Sequence, residues 1–115
     1  MLLIVEDDMD WGEAYILKCP GHITPLVART IRQGRLLFHK HASEITAIIM
    51  DGCVPGGELN TIPLIREIRD SGYAGLLIAA SSNSHYTEQM VAAGCDRSFS
   101  DKGELARNLA SILVS

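Results

Sequence analysis

No stretch of the 115 residues approaches the roughly 20 consecutive apolar residues that a membrane-spanning helix requires. The opening run, Met1 to Val5, passes directly into Glu6, Asp7 and Asp8, and it has neither the length nor the preceding basic stretch of a secretory leader. A cytoplasmic protein without membrane attachment is expected. Cations are the scarcer charge, ten Lys and Arg against 14 Asp and Glu, and no dense basic cluster offsets the net charge of −4. Binding to a phosphate backbone draws its affinity from clustered cations, so no direct nucleic-acid partner is expected. Cysteine is sparse: Cys19, Cys53 and Cys95 are odd in number and far apart, which excludes a disulfide framework and a zinc knuckle. Linkers rich in Pro, Gly or Ser, internal repeats and low-complexity tracts are all missing. Residues 1–115 therefore read as one domain.

What is present is a set of short apolar runs: Leu2 to Val5, Ile45 to Met50 and Leu76 to Ala80. Runs of this length bounded by turn residues read as strands buried on both faces, the habit of parallel sheets covered by helices. A further run, Ile23 to Ala28, contains Pro25, which cannot donate to a central ladder and so predicts an edge strand. The shortest, Arg97 to Ser100, predicts a fifth strand. Between and after these runs, residues 10–18, 33–43, 61–70, 85–93 and 104–113 are long enough for helices. In the last, Leu105, Leu109 and Ile112 fall on one stripe. Five alternations of strand and helix predict an open, doubly wound parallel sheet with helices on both faces. Ligands of such sheets sit outside the carboxyl ends of the strands.

The residues at those ends form a chemical set. Glu6, Asp7 and Asp8 follow the first strand, Asp51 the third, Ser81 and Ser82 the fourth, and Asp101 and Lys102 the fifth. Carboxylates converging on one crevice repel one another unless a hard cation neutralises them, and an all-oxygen cluster suits Mg2+. One carboxylate beside such an ion can act as nucleophile toward a phosphoryl group, and Asp51 is the candidate. Lys102 supplies a cation and Ser81 a hydroxyl for the charge that spreads over the phosphoryl oxygens.

These segments resemble the receiver domain of two-component response regulators, of the single-domain, chemotaxis-regulator type. "LLIVEDD" is similar to that family's acid-pair strand, "IIMDGCVPGG" to its phosphoacceptor strand and loop, "LLIAASS" to its hydroxyl strand and "AAGCDRSFSDK" to its lysine strand. The 44 positions from Asp7 to Asp51 and the 30 from Asp51 to Ser81 match the family's usual separations. The resemblance implies a flavodoxin-like (βα)5 fold with strand order 2-1-3-4-5. It also implies that Asp7 and Asp51 hold Mg2+ together with Glu6, through water, and with the backbone carbonyl of Cys53. Asp51 would be the phosphoacceptor, Lys102 its cationic partner, and Ser81 with Phe99 the pair whose rearrangement reports phosphorylation. The implied partners are a histidine kinase or histidine phosphotransfer protein upstream and an effector protein downstream, the chain itself being a monomer or weak dimer. It would be no enzyme beyond its own phosphorylation and dephosphorylation. The family commonly has proline after its lysine, where this chain has Gly103, and Cys53 and Asn83 occupy the positions that tune phosphate lifetime.

Plainer readings exist for several of these residues. Asp7 or Asp8 suits the cap of a first helix, Phe99 suits the core, the cysteines suit small core positions, and Trp11 suits packing. His39 and His41 do not face the same way on a helix and predict no metal site. Of the two serines, spacing favours Ser81. The alternative function is a receiver-like binding module without phosphotransfer, suggested by Gly103. A dehalogenase-type phosphatase needs an acid where Cys53 stands, and a flavodoxin-type flavin site would bring phosphate against Glu6, Asp7 and Asp8.

Overall fold

In the computed structural model, which describes residues 1–114, the apolar runs are strands and the segments between them helices. In chain order these are β1 (Leu2–Val5), α1 (Met9–Lys18), β2 (Pro25–Ala28), α2 (Ile31–His41), β3 (Ala47–Asp51), α3 (Ile62–Asp70), β4 (Leu76–Ala80), α4 (Ser84–Ala93), β5 (Arg97–Phe99) and α5 (Lys102–Val114). All four strand pairings are parallel and the order is β2-β1-β3-β4-β5, as the resemblance implies. Pro25 opens β2 at the sheet edge, where a missing N–H is tolerated.

The side-chain alternation of the central strands builds two cores. Leu3 and Val5 of β1 join Ile48 and Met50 of β3 and Leu77 of β4 against Phe38, Leu64, Ile65 and Met90, from α2, α3 and α4. Leu2 and Ile4 join Ala47, Ile49 and Ile78 against Tyr15 of α1 and the α5 stripe Leu105, Leu109 and Ile112. The phase continues past the strand ends. Glu6 N–H still bonds the Ala28 carbonyl (2.9 Å), so Glu6 keeps the phase of Leu2 and Ile4, and Asp51 keeps that of Ala47 and Ile49. Both carboxylates therefore lie on the side of the sheet that α5 covers, and Lys102 is the first residue of α5. Fully burying a side chain such as Ile49 is worth about 1.5–3 kcal/mol, and truncating it also leaves a cavity. Ile49→Ala is expected to cost roughly 2–5 kcal/mol, read by urea unfolding.

Capping explains where the helices depart from the expected bounds. α2 starts at Ile31 because Thr30 Oγ1 accepts from Gln33 N–H (3.0 Å) while Gln33 Oε1 accepts from Arg29 N–H (2.8 Å), a reciprocal cap. Pro63 falls in the first turn of α3, where its absent N–H removes no helical bond. α5 starts two residues before its expected position because Asp101 Oδ1 accepts from the N–H groups of Gly103 (2.9 Å) and Glu104 (3.2 Å). Gly34 of α2 lies against β1; an added Cβ would sit 3.2 Å from Val5 Cγ2, so only a bare backbone fits without displacing that side chain.

Candidate functional site

The carboxyl ends of the strands open into a cleft of about 410 Å3. Glu6, Asp7, Asp51, Cys53, Ser81 and Lys102 line it, with Asp8, Ser82, Asn83, Tyr86 and the Gly56–Gly57 pair completing the walls. Glu6, Asp7 and Asp51 each bring a carboxylate oxygen within 4.8 Å of the other two. Among the described residues this is the one grouping of acids, thiols or imidazoles close enough to share a metal ion. Glu6 and Asp51 are only 1% and 7% exposed, so their charges are poorly solvated and need a counter-charge. Lys102 provides part of it, with Nζ 2.6 Å from Glu6 Oε1 and 3.2 Å from Asp51 Oδ1. Three carboxylates against one ammonium leave the ionised site two negative charges in excess, the charge of one divalent cation. The donor set is all oxygen, consistent with Mg2+.

Electrostatics reflect this crowding. Burial, then the neighbouring Asp51 carboxyl, pushes the Glu6 pKa up from 4.5 to about 7, against the pull of the Lys102 ammonium. Burial works against the charge on Lys102, yet its hydrogen bond to Glu6 and the field of Asp51 outweigh it and hold the ammonium above its ordinary range. Burial also raises the Cys53 thiol, and the charge of Asp51 adds to it. A neutral thiol is a poor nucleophile and metal ligand.

The backbone around the cleft is held by side-chain hydrogen bonds of Asp51, Asn60 and Thr61. Asp51 Oδ1 accepts from Gly52 N–H (2.8 Å). Asn60 binds Val54 twice, accepting from its N–H (2.8 Å) and donating to its carbonyl (3.0 Å), and the buried Thr61 hydroxyl donates to the Gly52 carbonyl (3.2 Å). The loop bearing Cys53 is therefore clamped from its far end. Asn60→Ala removes both Val54 bonds, worth roughly 1–3 kcal/mol together at ordinary hydrogen-bond values. Lower urea stability and weaker Mg2+ binding are the expected readouts.

The plain and the functional readings of the acids both have a place. Asp8 caps α1, accepting from Asp10 and Trp11 N–H, while Glu6 and Asp7 join Asp51. Asp101 does not line the cleft; it caps α5 by accepting from the N–H groups of Gly103 and Glu104. A proline at 103 has no N–H to give Asp101. Ser81 is buried and Ser82 exposed, and Ser81 N–H bonds the Phe99 carbonyl (3.1 Å), tying the hydroxyl strand to β5. Phe99 is half-buried outside the cleft, under the Arg97 guanidinium and beside Glu104 and Asn108. Cys95 packs in the core, but Cys53 lies in the cleft rather than in the core position suggested for cysteines generally. His39 bonds Glu67 and His41 lies near Glu44, in separate places. Asn60, Thr61 and Tyr86 are the site residues with no chemical signal in the sequence.

No protein-family model matches the chain, and no curated protein matches it in sequence. Solved structures do. The N-terminal domain of an uncharacterized protein from Wolinella succinogenes is 26% identical, with a TM-score of 0.75 over 98% of this chain and 92% of that one. The Francisella response regulator 1452 receiver domain aligns at 19% identity and TM-score 0.75, covering 97% and 93%. A chain of the CheX–CheY–BeF3–Mg2+ complex from Borrelia burgdorferi aligns at 15% identity and TM-score 0.76, covering 99% and 89%. The chain thus has the fold of response regulator receiver domains over nearly its whole length. Among the described residues no helix is long and apolar enough to cross a membrane.

Proposed function

We propose that residues 1–115 act as one receiver domain that accepts a phosphoryl group on Asp51 from a histidine kinase or histidine phosphotransfer protein and signals in the cytoplasm through protein contacts. The observation that carries this reading is the convergence of Asp51, Glu6, Asp7 and Lys102 in one cleft at the carboxyl end of a receiver-type sheet. An Asp51 carboxylate oxygen attacks phosphorus; the P–O bond forms as the P–N bond to the donor imidazole breaks, and the imidazole leaves. Lys102 pairs with the transferred phosphoryl oxygens and Ser81 donates its hydroxyl to one of them. Asp7, Asp51 and the Cys53 carbonyl, with Glu6 through water, would hold Mg2+, which would supply neutralising charge to the phosphoryl oxygens. Neither Phe99 nor Ser81 needs a new fold to report the event: phosphorylation shifts an equilibrium between existing arrangements, and the downstream effector binds the favoured one.

Trp11 offers the test. Its ring stacks on Tyr15 at 6.3 Å and lies 3.8 Å from where a Cβ on Gly103 would be, next to Lys102. Beryllofluoride, a stand-in for the phosphoryl group, is expected to change Trp11 fluorescence only when Mg2+ is present. An unresponsive Trp11, with no Mg2+ binding by calorimetry, points instead to a binding module without phosphotransfer.

A pH dependence follows from Glu6. The folded, metal-free chain keeps on Glu6 a proton that the unfolded chain releases near 4.5, so the folded state binds more protons between 4.5 and about 7. Stability from this group is full below 4.5, falls as pH rises to about 7, and is flat above. Mg2+ competes with that proton, so it is expected to raise the urea midpoint clearly at pH 8 and little at pH 5.

A further inference from the structure

We propose that Tyr86 shields phosphorylated Asp51 from water and thereby sets how long the phosphoryl group persists, an inference that rests on Asp51 being the phosphoacceptor. Among the described residues Tyr86 is the one aromatic lining the cleft. It is half-buried in the first turn of α4, and the turn is pinned by Asn83, whose Oδ1 accepts from His85 (2.9 Å) and Tyr86 (3.4 Å) N–H groups. The ring is thus carried by a capped helix end rather than by a free loop. The Gly56–Gly57 pair also borders the cleft and presents no side chain; a Cβ built on either would meet nothing within 4 Å. Asp8, Ser82 and Asn83 on the wall are small, polar and exposed, and Cys53 is small and half-buried. Tyr86 therefore brings the largest hydrocarbon surface to the wall of the cleft that holds Asp51.

Loss of the phosphoryl group needs that space. A water oxygen bonds phosphorus from the side opposite the Asp51 oxygen, the P–O bond to Asp51 breaks, the carboxylate leaves with the electron pair, and the water proton passes to the phosphate or solvent. Hydrocarbon bulk at the mouth lowers the number of waters placed for in-line attack. The effect is one of shape, so the ring matters and the phenol oxygen does not.

The experiment loads wild type, Tyr86→Ala, Tyr86→Phe and Gly57→Leu with acetyl phosphate and Mg2+, removes the donor, and follows decay by intact mass. Tyr86→Ala is expected to shorten the half-life roughly tenfold, while Tyr86→Phe stays near wild type. Gly57→Leu, adding bulk across the cleft where space is open, is expected to lengthen it. An unchanged half-life in a folded Tyr86→Ala protein overturns the proposal, as does a Tyr86→Phe half-life as short as that of the alanine variant. Should the alanine variant not fold, an unchanged or shorter half-life in Gly57→Leu overturns it. A wild-type protein that takes up no phosphoryl group overturns the reading of Asp51 and this inference with it, a result distinct from uptake with unaltered decay.

Discussion

Asp51→Asn is expected to abolish phosphoryl uptake from acetyl phosphate while leaving the fold intact. The amide is nearly the size of the carboxylate and can still accept from Gly52 N–H through its oxygen, so the backbone at the end of β3 keeps its partner. What disappears is the nucleophilic oxygen, and neither Glu6 nor Asp7 replaces it. Glu6, buried just after β1, is ion-paired to Lys102, and Asp7 follows it at the end of a different strand from Asp51. The substitution also lowers the negative charge around Glu6, so the metal-free variant is expected to unfold at equal or higher urea than wild type near pH 8. Uptake at the wild-type level would move the phosphoacceptor elsewhere. Circular dichroism and intact mass on the same sample separate loss of chemistry from loss of fold.

Lys102→Ala is expected to cost roughly 100- to 1,000-fold in the rate of phosphoryl uptake, the range seen when one preorganised donor to developing charge is removed. Lys102 Nζ already lies between Glu6 and Asp51, and it is mostly buried, so the interaction is little screened by solvent. Without it, Glu6 loses its one cationic neighbour in the cleft and its carboxyl is expected to hold its proton to still higher pH. Stability of the variant then falls more steeply between about pH 5 and 8 than that of wild type, since the folded state retains a proton the unfolded state has released. Lys102→Arg keeps the charge but not the compact ammonium, and is expected to recover stability more fully than rate.

Much of this architecture is legible in the chain because parallel strands buried on both faces leave continuous apolar runs, and their bounding polar residues mark the sheet's carboxyl end. Leu2 to Val5 and Leu76 to Ala80 coincide with β1 and β4, and Glu6, Asp51, Ser81 and Lys102 follow or close their strands as the alternation requires. Helix starts are less legible where a side chain has two uses. The expected start of α5 at Glu104 is two residues late, and Asp101 reads as one of the polar set at the strand ends until its bonds to Gly103 and Glu104 show it to be a cap. The Asn60 and Thr61 clamp leaves no trace at all, because side-chain bonds that close a loop onto Gly52 and Val54 have no periodicity. Tyr86 is invisible for a similar reason: its place in the cleft depends on where α4 begins relative to Asn83, which sequence locates only to within a few residues.

The most direct measurement is intact mass of the wild-type chain after incubation with acetyl phosphate, with Mg2+ and with the metal chelated, quenched rapidly. The account predicts one added phosphoryl group, only with Mg2+, released by mild alkali as an acyl phosphate is, and mapped by borohydride reduction to Asp51. No adduct under any condition, or an adduct indifferent to Mg2+ or placed away from Asp51, contradicts it.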